Sequence, residues 1–259
     1  MKLLSMGDAH ITDDRPVNRT DNYWETVKRK LRFIFKLAEN RGCKFILSPG
    51  DLTDTPNLSY AEFTELVQLV RHELSVHMFC VRGQHDMRYR RKENTALTAL
   101  ASSLYKQLTI LEYGIERSVE DDKTCTFQKM YAFQGASYGE EIPKPVEGAF
   151  NILLIHKMIV EEKLWSAQEE YEPSNVFLRQ HNFDLIVSGD NHQGFITSSK
   201  GGRLLVNCGA MMRNSISLVN HQPFVVIYDT EIREYEKVFI PIEPSEKVFR
   251  MEKVAAELS

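Results

Sequence analysis

No stretch of the chain approaches the roughly 18 successive apolar residues that a membrane span requires. The opening "MKLLSMGD" is too short an apolar run for a signal peptide before polar sequence begins. Cysteine is sparse: Cys43, Cys80, Cys125 and Cys208 lie far apart, with no C-x-x-C pair. That spacing excludes a disulfide framework and a thiolate zinc site. Cys80, inside "HMFCV", reads as a small buried hydrophobe. Nor is there a basic excess. A net charge of −4 over 259 residues gives no global positive field, so a nucleic-acid partner would need a local patch of Lys and Arg. Repeats, low-complexity tracts and a clear linker are also missing. What remains is a reduced, cytoplasmic-type composition, 42% hydrophobic and 26% charged, with ample length for a large core.

Short apolar runs alternate with amphipathic segments through the first half. "KLLSM" (2–6), "KFILS" (44–48) and "HMFCV" (77–81) are strand-like. Residues 22–41 place Trp24, Val27, Leu31, Ile34, Phe35 and Ala38 at helical spacing. Further helices are predicted over 59–74 and near 94–106. The βαβαβα order predicts parallel strands joined by crossover helices. From 109 to 135 the texture turns to short β-like pieces. "FNILLIH" (150–156) and "DLIVS" (184–188) then restore buried strands with a helical stretch between them, and "GFITSS", "GRLLVN" and "PFVVIYD" read as hairpin-like strands. The fold class expected is α/β, two packed sheets flanked by helices. The run "KRKLR" (28–32) reads as a solvated helix face. In the tail, Val248, Met251, Val254, Ala255 and Leu258 are helically spaced, suited to packing back on the domain or docking a partner.

The chemistry sits where the strands end. "KLLSM" is followed by Gly7-Asp8-Ala9-His10, and "KFILSP" by Gly50-Asp51-Leu52-Thr53-Asp54. "HMFCVR" leads to Gly83-Gln84-His85-Asp86, "NILLI" to His156, and "DLIVS" to Gly189-Asp190-Asn191-His192. The loops at strand C-terminal ends of α/β sheets converge on one crevice. Any one of these pieces is an ordinary turn; five in strand-end context point to a metal site. Carboxylates and an amide favour Mg or Mn, while imidazoles also suit Fe and Zn. The donors outnumber what one ion needs, so two ions sharing a carboxylate fit better, the arrangement for in-line attack on phosphorus. His72, His77, His181 and His221 lack this context and read as structural.

These motifs, D-x-H, G-D-x-x-D, G-Q-H-D, a lone His and G-D-x-H, resemble the calcineurin-like metallophosphoesterase superfamily over about residues 1–240. The resemblance implies the αββα metallophosphoesterase fold, with 241–259 as a tail that starts a missing or reduced capping and partner-binding region. It implies that Asp8, His10 and His192 hold one ion, that Asp51 bridges, and that Gln84, His156 and Asp190 hold the second. His85 would be the general acid, oriented by Asp54. Two positions depart from the pattern: Gln84 stands for Asn, and Asp190 for the first His of G-H-x-H. Within the superfamily, "GQHDMRYRRKENTAL", "LLVNCGAMMRNSISLVNHQPFVVIYD" and "IPIEPSEKVF" are similar to the SbcD-type DNA repair nucleases, phage-encoded members among them. Asp190 in place of an imidazole makes the second site harder and tilts the metal toward Mn or Mg. The branch implies an exo- or endonuclease, with DNA, an SbcC-like ATPase and a second copy of the chain as partners, in the cytoplasm (the host's, if phage-encoded). Arg82, Arg88, Tyr89, Arg90, Arg91, Lys92 and Arg213 are the candidate DNA contacts. A phosphodiesterase or phosphatase for small nucleotides and a catalytically weak scaffold are the alternatives.

Overall fold

The structure is a computed structural model that describes residues 1–112, 115–120, 129–163 and 171–253. The first half runs β1 (Lys2–Ser5), α1 (Tyr23–Asn40), β2 (Cys43–Ser48), α2 (Tyr60–Glu73), β3 (His77–Cys80), α3 (Ala96–Ser103) and β4 (Leu108–Ile110). Then come β5 (Ile115–Glu120), β6 (Lys129–Ala136), β7 (Phe150–His156), β8 (Ile159–Val160), β9 (Glu172–Pro173) and α4 (Ser174–Gln180). The chain closes with β10 (Leu185–Gly189), β11 (Phe195–Ser198), β12 (Leu204–Asn207), β13 (Phe224–Asp229), β14 (Glu234–Phe239) and α5 (Ser245–Val248).

Two six-stranded sheets, β14-β13-β1-β2-β3-β4 and β11-β12-β10-β7-β6-β5, pack face to face. In the first, β1, β2, β3 and β4 run parallel; in the second, β6, β7, β10 and β12 do. A core containing Leu3, Leu47, Val81, Leu154, Val187 and Val226 fills the space between them. The outer face of the first sheet is covered by α1, α2 and α3, and that of the second by α4. Every residue of β7 is buried, as expected of a strand covered on both faces.

The helices start where their sequences offer caps. Asn22 accepts a hydrogen bond from the Glu25 amide, and Ser59 with Glu62 forms a capping box. The KRKLR run is not wholly solvated: Lys30 is 4% exposed and donates to the Met211 carbonyl at 2.7 Å. Of the tail stripe, Val248 is buried with Ile216, Val219 and Phe249, while Met251 is 43% exposed. The Arg19 and Arg213 guanidinium groups both stack near the Phe249 ring, 5.1 and 5.5 Å from its centroid. Val254, Ala255 and Leu258 lie outside the described residues, as does much of 113–128. Among the described residues no helix is long and apolar enough to cross a membrane.

Burial, with Arg213, Arg19 and Arg29 nearby, pushes the Lys30 ammonium down to about 7 from 10.5. Between those values the unfolded chain binds the extra proton, so this group's contribution to stability rises with pH, and its penalty is complete below pH 7. Lys30→Met removes the penalty. Relative to the unsubstituted protein, the variant should therefore be more stable at pH 7 than at pH 10 by on the order of a few kcal/mol, read by urea unfolding at both pH values. A difference independent of pH would contradict the buried charge.

Candidate metal centre

The parallel strands of both sheets point their C-terminal ends at one crevice, and every ligand candidate sits at the end of one of them or in the loop that follows. β1 delivers Asp8 and His10, β2 Asp51, β3 Gln84 and His85, β7 His156, and β10 Asp190 and His192. Backbone hydrogen bonds stitch these loops together. The Ala9 and His10 amides both donate to the Asp51 carbonyl, at 3.1 and 3.0 Å, and the Asp190 amide donates to Asp8 Oδ2 at 2.9 Å. His10 (φ 45°), Asp51 (φ 45°) and Asp190 (φ 79°) all occupy the left-handed region, a conformation costing roughly 1–3 kcal/mol each that persists only when the surroundings enforce it.

The glycines before the ligands serve space more than turning. Only Gly50 has a left-handed φ, 108°. A Cβ at Gly83 would lie 2.0 Å from Asp51 Oδ1, and one at Gly189 would lie 2.5 Å from Asp8 Oδ1. The backbone has to approach the carboxylates that closely for the site to close.

Asp8, His10, Asp51 and His156 are each at most 2% exposed. Three groups of ligand atoms come within 4.8 Å of one another: Asp8, His10 and His192; Asp8, Asp51 and His156; and His10, Asp51 and His85. His10 Nε2 lies 3.0 Å from His192 Nε2, and His156 Nε2 faces Asp51 Oδ2 at 3.3 Å without hydrogen-bond geometry. Asp8 Oδ1, Asp51 Oδ2, Gln84 Oε1 and His156 Nε2 are buried with no hydrogen-bond partner. Buried lone pairs left unpaired are costly; pointed at a common space, they fit divalent cations. The other His156 nitrogen is held by the Pro49 carbonyl at 2.8 Å and that of His10 lies 3.0 Å from Asp54 Oδ1, which leaves both Nε2 atoms to face the centre. The donor set suits a two-ion centre.

The charges agree. Burial pushes the Asp8 carboxyl up to about 7. Burial also opposes charge on His156, but the Asp51 and Asp8 carboxylates outweigh it and raise that imidazole to about 10. His192, desolvated and beside His10, drops to about 4. Binding of cations to these groups would release the protons they hold.

Several expectations are revised. Asp54 does hold His85, but through its main-chain carbonyl, 2.8 Å from His85 Nδ1; its carboxylate serves His10. Asp190 belongs to none of the three ligand groups. Its Oδ1 accepts from Gln84 Nε2 at 3.0 Å, so the two departures from the motif are bonded to each other, and the Gln84 Oε1 is left buried without a hydrogen-bond partner. Among the arginines and lysines, Arg82 and Arg213 are 3% exposed. Arg82 is paired with Glu112, and Arg213 donates to the Val219 and Glu243 carbonyls. Lys92 is paired with Glu140. None of these three is free for DNA. Arg88, Tyr89, Arg90 and Arg91 are exposed and form a tight turn, closed by mutual hydrogen bonds between Arg88 and Arg91, with Tyr89 (φ 51°) and Arg90 (φ 62°) at its tip.

Two residues carried no assigned role in the sequence. Asp86 is fully buried and accepts from the amides of Gly83 and Thr53 and the Thr53 hydroxyl, which locks the loops after β2 and β3 together. Its place directly after His85 was the available signal. Tyr138, whose ring centroid is 6.3 Å from that of His156, had no motif to betray it. His221 holds the Ala210 carbonyl and His77 the Lys106 carbonyl, structural roles as expected.

The family model described as Calcineurin-like phosphoesterase matches residues 1–194. Among solved structures, the protein TT1561 of Thermus thermophilus superposes with a TM-score of 0.55 at 13% identity, covering 93% of this chain and 99% of that one. A dimetal phosphatase from Danio rerio gives 0.54 at 12% identity, with coverage of 93% and 99%. At such identities the likeness is one of fold. No curated protein matches the sequence.

If Asp190 acts by orienting Gln84, then Asp190→Ala and Gln84→Ala should each weaken the second Mn²⁺ binding step about 10–100-fold in calorimetric titration. The double variant should bind scarcely worse than either single one. Additive losses would instead make Asp190 a ligand in its own right.

Proposed function

The chain belongs to the calcineurin-like phosphoesterase family, and we propose that within it this protein is a two-metal phosphodiesterase that hydrolyses DNA, with Mn²⁺ preferred. Asp8, His10 and His192 would hold one ion and His156 and Gln84 the other, with Asp51, which lies within reach of His10 as well as His156, shared between them. Ions bound there supply Lewis acidity toward a phosphoryl oxygen and make hydroxide available at neutral pH.

His85 then provides the proton. Its Nδ1–H is spent on the Asp54 carbonyl, so Nε2 is the nitrogen that exchanges, and the ring is exposed at the mouth of the crevice. As the water oxygen bonds to phosphorus, the P–O bond to the leaving group breaks, and the imidazolium passes its Nε2 proton to the departing oxygen. Asp54 and Asp86 are positioning residues.

The observation that carries the reading toward DNA is the Arg88–Arg91 turn. Three arginines without ion-pair partners among the described residues flank an exposed Tyr89, directly after the general acid. The left-handed pair at Tyr89 and Arg90, closed by the mutual Arg88–Arg91 hydrogen bonds, makes a tight hairpin turn that projects these side chains from the surface. Cations there neutralise a phosphate backbone, and the tyrosine offers a stacking face. The resemblance to SbcD-type nucleases supports the same reading, and with it an SbcC-like ATPase and a second copy of the chain as partners.

End-labelled single- and double-stranded DNA, incubated with Mn²⁺, Mg²⁺ or EDTA, tests the proposal. Cleavage that needs the metal and falls about 10²–10⁴-fold in His85→Ala is expected. Bis-p-nitrophenyl phosphate, whose leaving group needs no proton, should lose much less in the same variant. Turnover of that ester with DNA left intact would overturn the nuclease reading.

A further inference from the structure

Next to the general acid the surface opens into a cleft of 520 Å³, between the start of α2 and the start of α3. One wall begins at Pro56, just past the Asp54 carbonyl that holds His85; the other begins at Asn94, just past the arginine turn. The Ala96 amide donates to the Pro56 carbonyl at 2.8 Å and ties the walls together. Its apolar floor includes Leu58 and Phe63, both packed against the main core and therefore fixed. At the rim stands Tyr60, 94% exposed. The side-chain amides of Asn57 and Asn94 have no hydrogen-bond partner among the described residues.

The charge of the lining decides what fits. None of the ten residues around the cleft is Asp, Glu, Lys, Arg or His. A second phosphate or a charged peptide would find no counter-ion inside, whereas a flat, neutral group with hydrogen-bonding edges would find a ring face, an apolar floor and two free amides. The unpaired cations lie outside, on Arg88, Arg90 and Arg91. A neutral cleft of nucleoside size with cations beside it matches the alternation of base and phosphate along a nucleic-acid strand.

We infer that this cleft is the leaving-group subsite and that it binds the nucleoside whose oxygen His85 protonates, with Tyr60 as its stacking face. The inference rests on the phosphodiesterase reading above and specifies where its substrate is recognised. Because the subsite is on the acid's side of the centre, its occupancy places the departing oxygen against His85.

The test compares the unsubstituted protein with Tyr60→Ala and Ala99→Glu in Mn²⁺, on a thymidine dinucleoside monophosphate and on bis-p-nitrophenyl phosphate. Both positions are exposed, so both variants should fold. The ratio of kcat/KM for the dinucleoside to that for the generic ester should fall about tenfold or more in each variant, as expected for loss of a base–aromatic stack or entry of a carboxylate into a neutral cleft. Inhibition by free thymidine should weaken in parallel. An unchanged ratio in both variants, with the dinucleoside still cleaved, overturns the subsite and leaves the phosphodiesterase reading intact. Hydrolysis of the generic ester alone by the unsubstituted protein, with dinucleoside and DNA both refused, removes the nucleic-acid reading and the subsite together.

Discussion

The site is arranged around carboxylates that have been taken out of water with no Lys or Arg partner among the described residues. Asp8 and Asp51 are essentially inaccessible, and among the described residues neither pairs with a Lys or Arg; what faces them is imidazole. Desolvating a carboxylate costs several kcal/mol unless a positive charge compensates it. Protons on Asp8 and His156, whose titrations are raised, compensate part of this. Divalent cations do so more completely, and they also satisfy the lone pairs left without partners. Stability and chemistry therefore draw on the same charge compensation, which is why the fold brings five strand ends to one place.

Holding the charges so close requires backbone the chain would not otherwise adopt. The left-handed φ values at His10, Asp51 and Asp190 coincide with the points where loops from different strands touch. The Asp51 carbonyl takes two amide hydrogen bonds from the loop after β1, and the Asp51 carboxylate takes one from His85. Asp86 adds amide bonds between the loops after β2 and β3. Each loop is thus strained by itself and stabilised by its neighbours, so the centre forms only when both sheets are in place. A two-sheet sandwich meets that condition, because its two sets of parallel strands end at the same edge.

Most of this frame was legible in the sequence, for definite reasons. β7 and β10 are buried on both faces and so read as unbroken apolar runs, and α1 shows its core stripe at every turn. β14 was not legible: "EYEKVF" is exposed along almost its whole length and is a strand only because its backbone pairs with β13. Lys30 escaped because helical charges are normally solvated; its burial depends on the Met211 carbonyl, contributed by a segment far away in sequence. The ligand candidates were readable from strand-end position alone. Their partners were not, since whether Asp54 reaches His10 or His85 depends on the relative placement of two loops.

The paired departures at Gln84 and Asp190 show how such a centre can vary without collapse. A glutamine reaches further than an asparagine and is floppier by one rotatable bond, so substitution by itself would loosen the amide oxygen. An aspartate in the place of an imidazole would by itself leave a carboxylate with no partner near a crowded negative site. Bonded together, each removes the other's defect: the carboxylate accepts the amide hydrogen, and that bond fixes the amide so that its buried oxygen stays unpaired. Asp190 also contributes its main-chain amide to Asp8, which ties the same loop to the first ligand group. The two positions are 106 residues apart in the chain and read as independent irregularities in the sequence; in three dimensions they are one substitution made in two places.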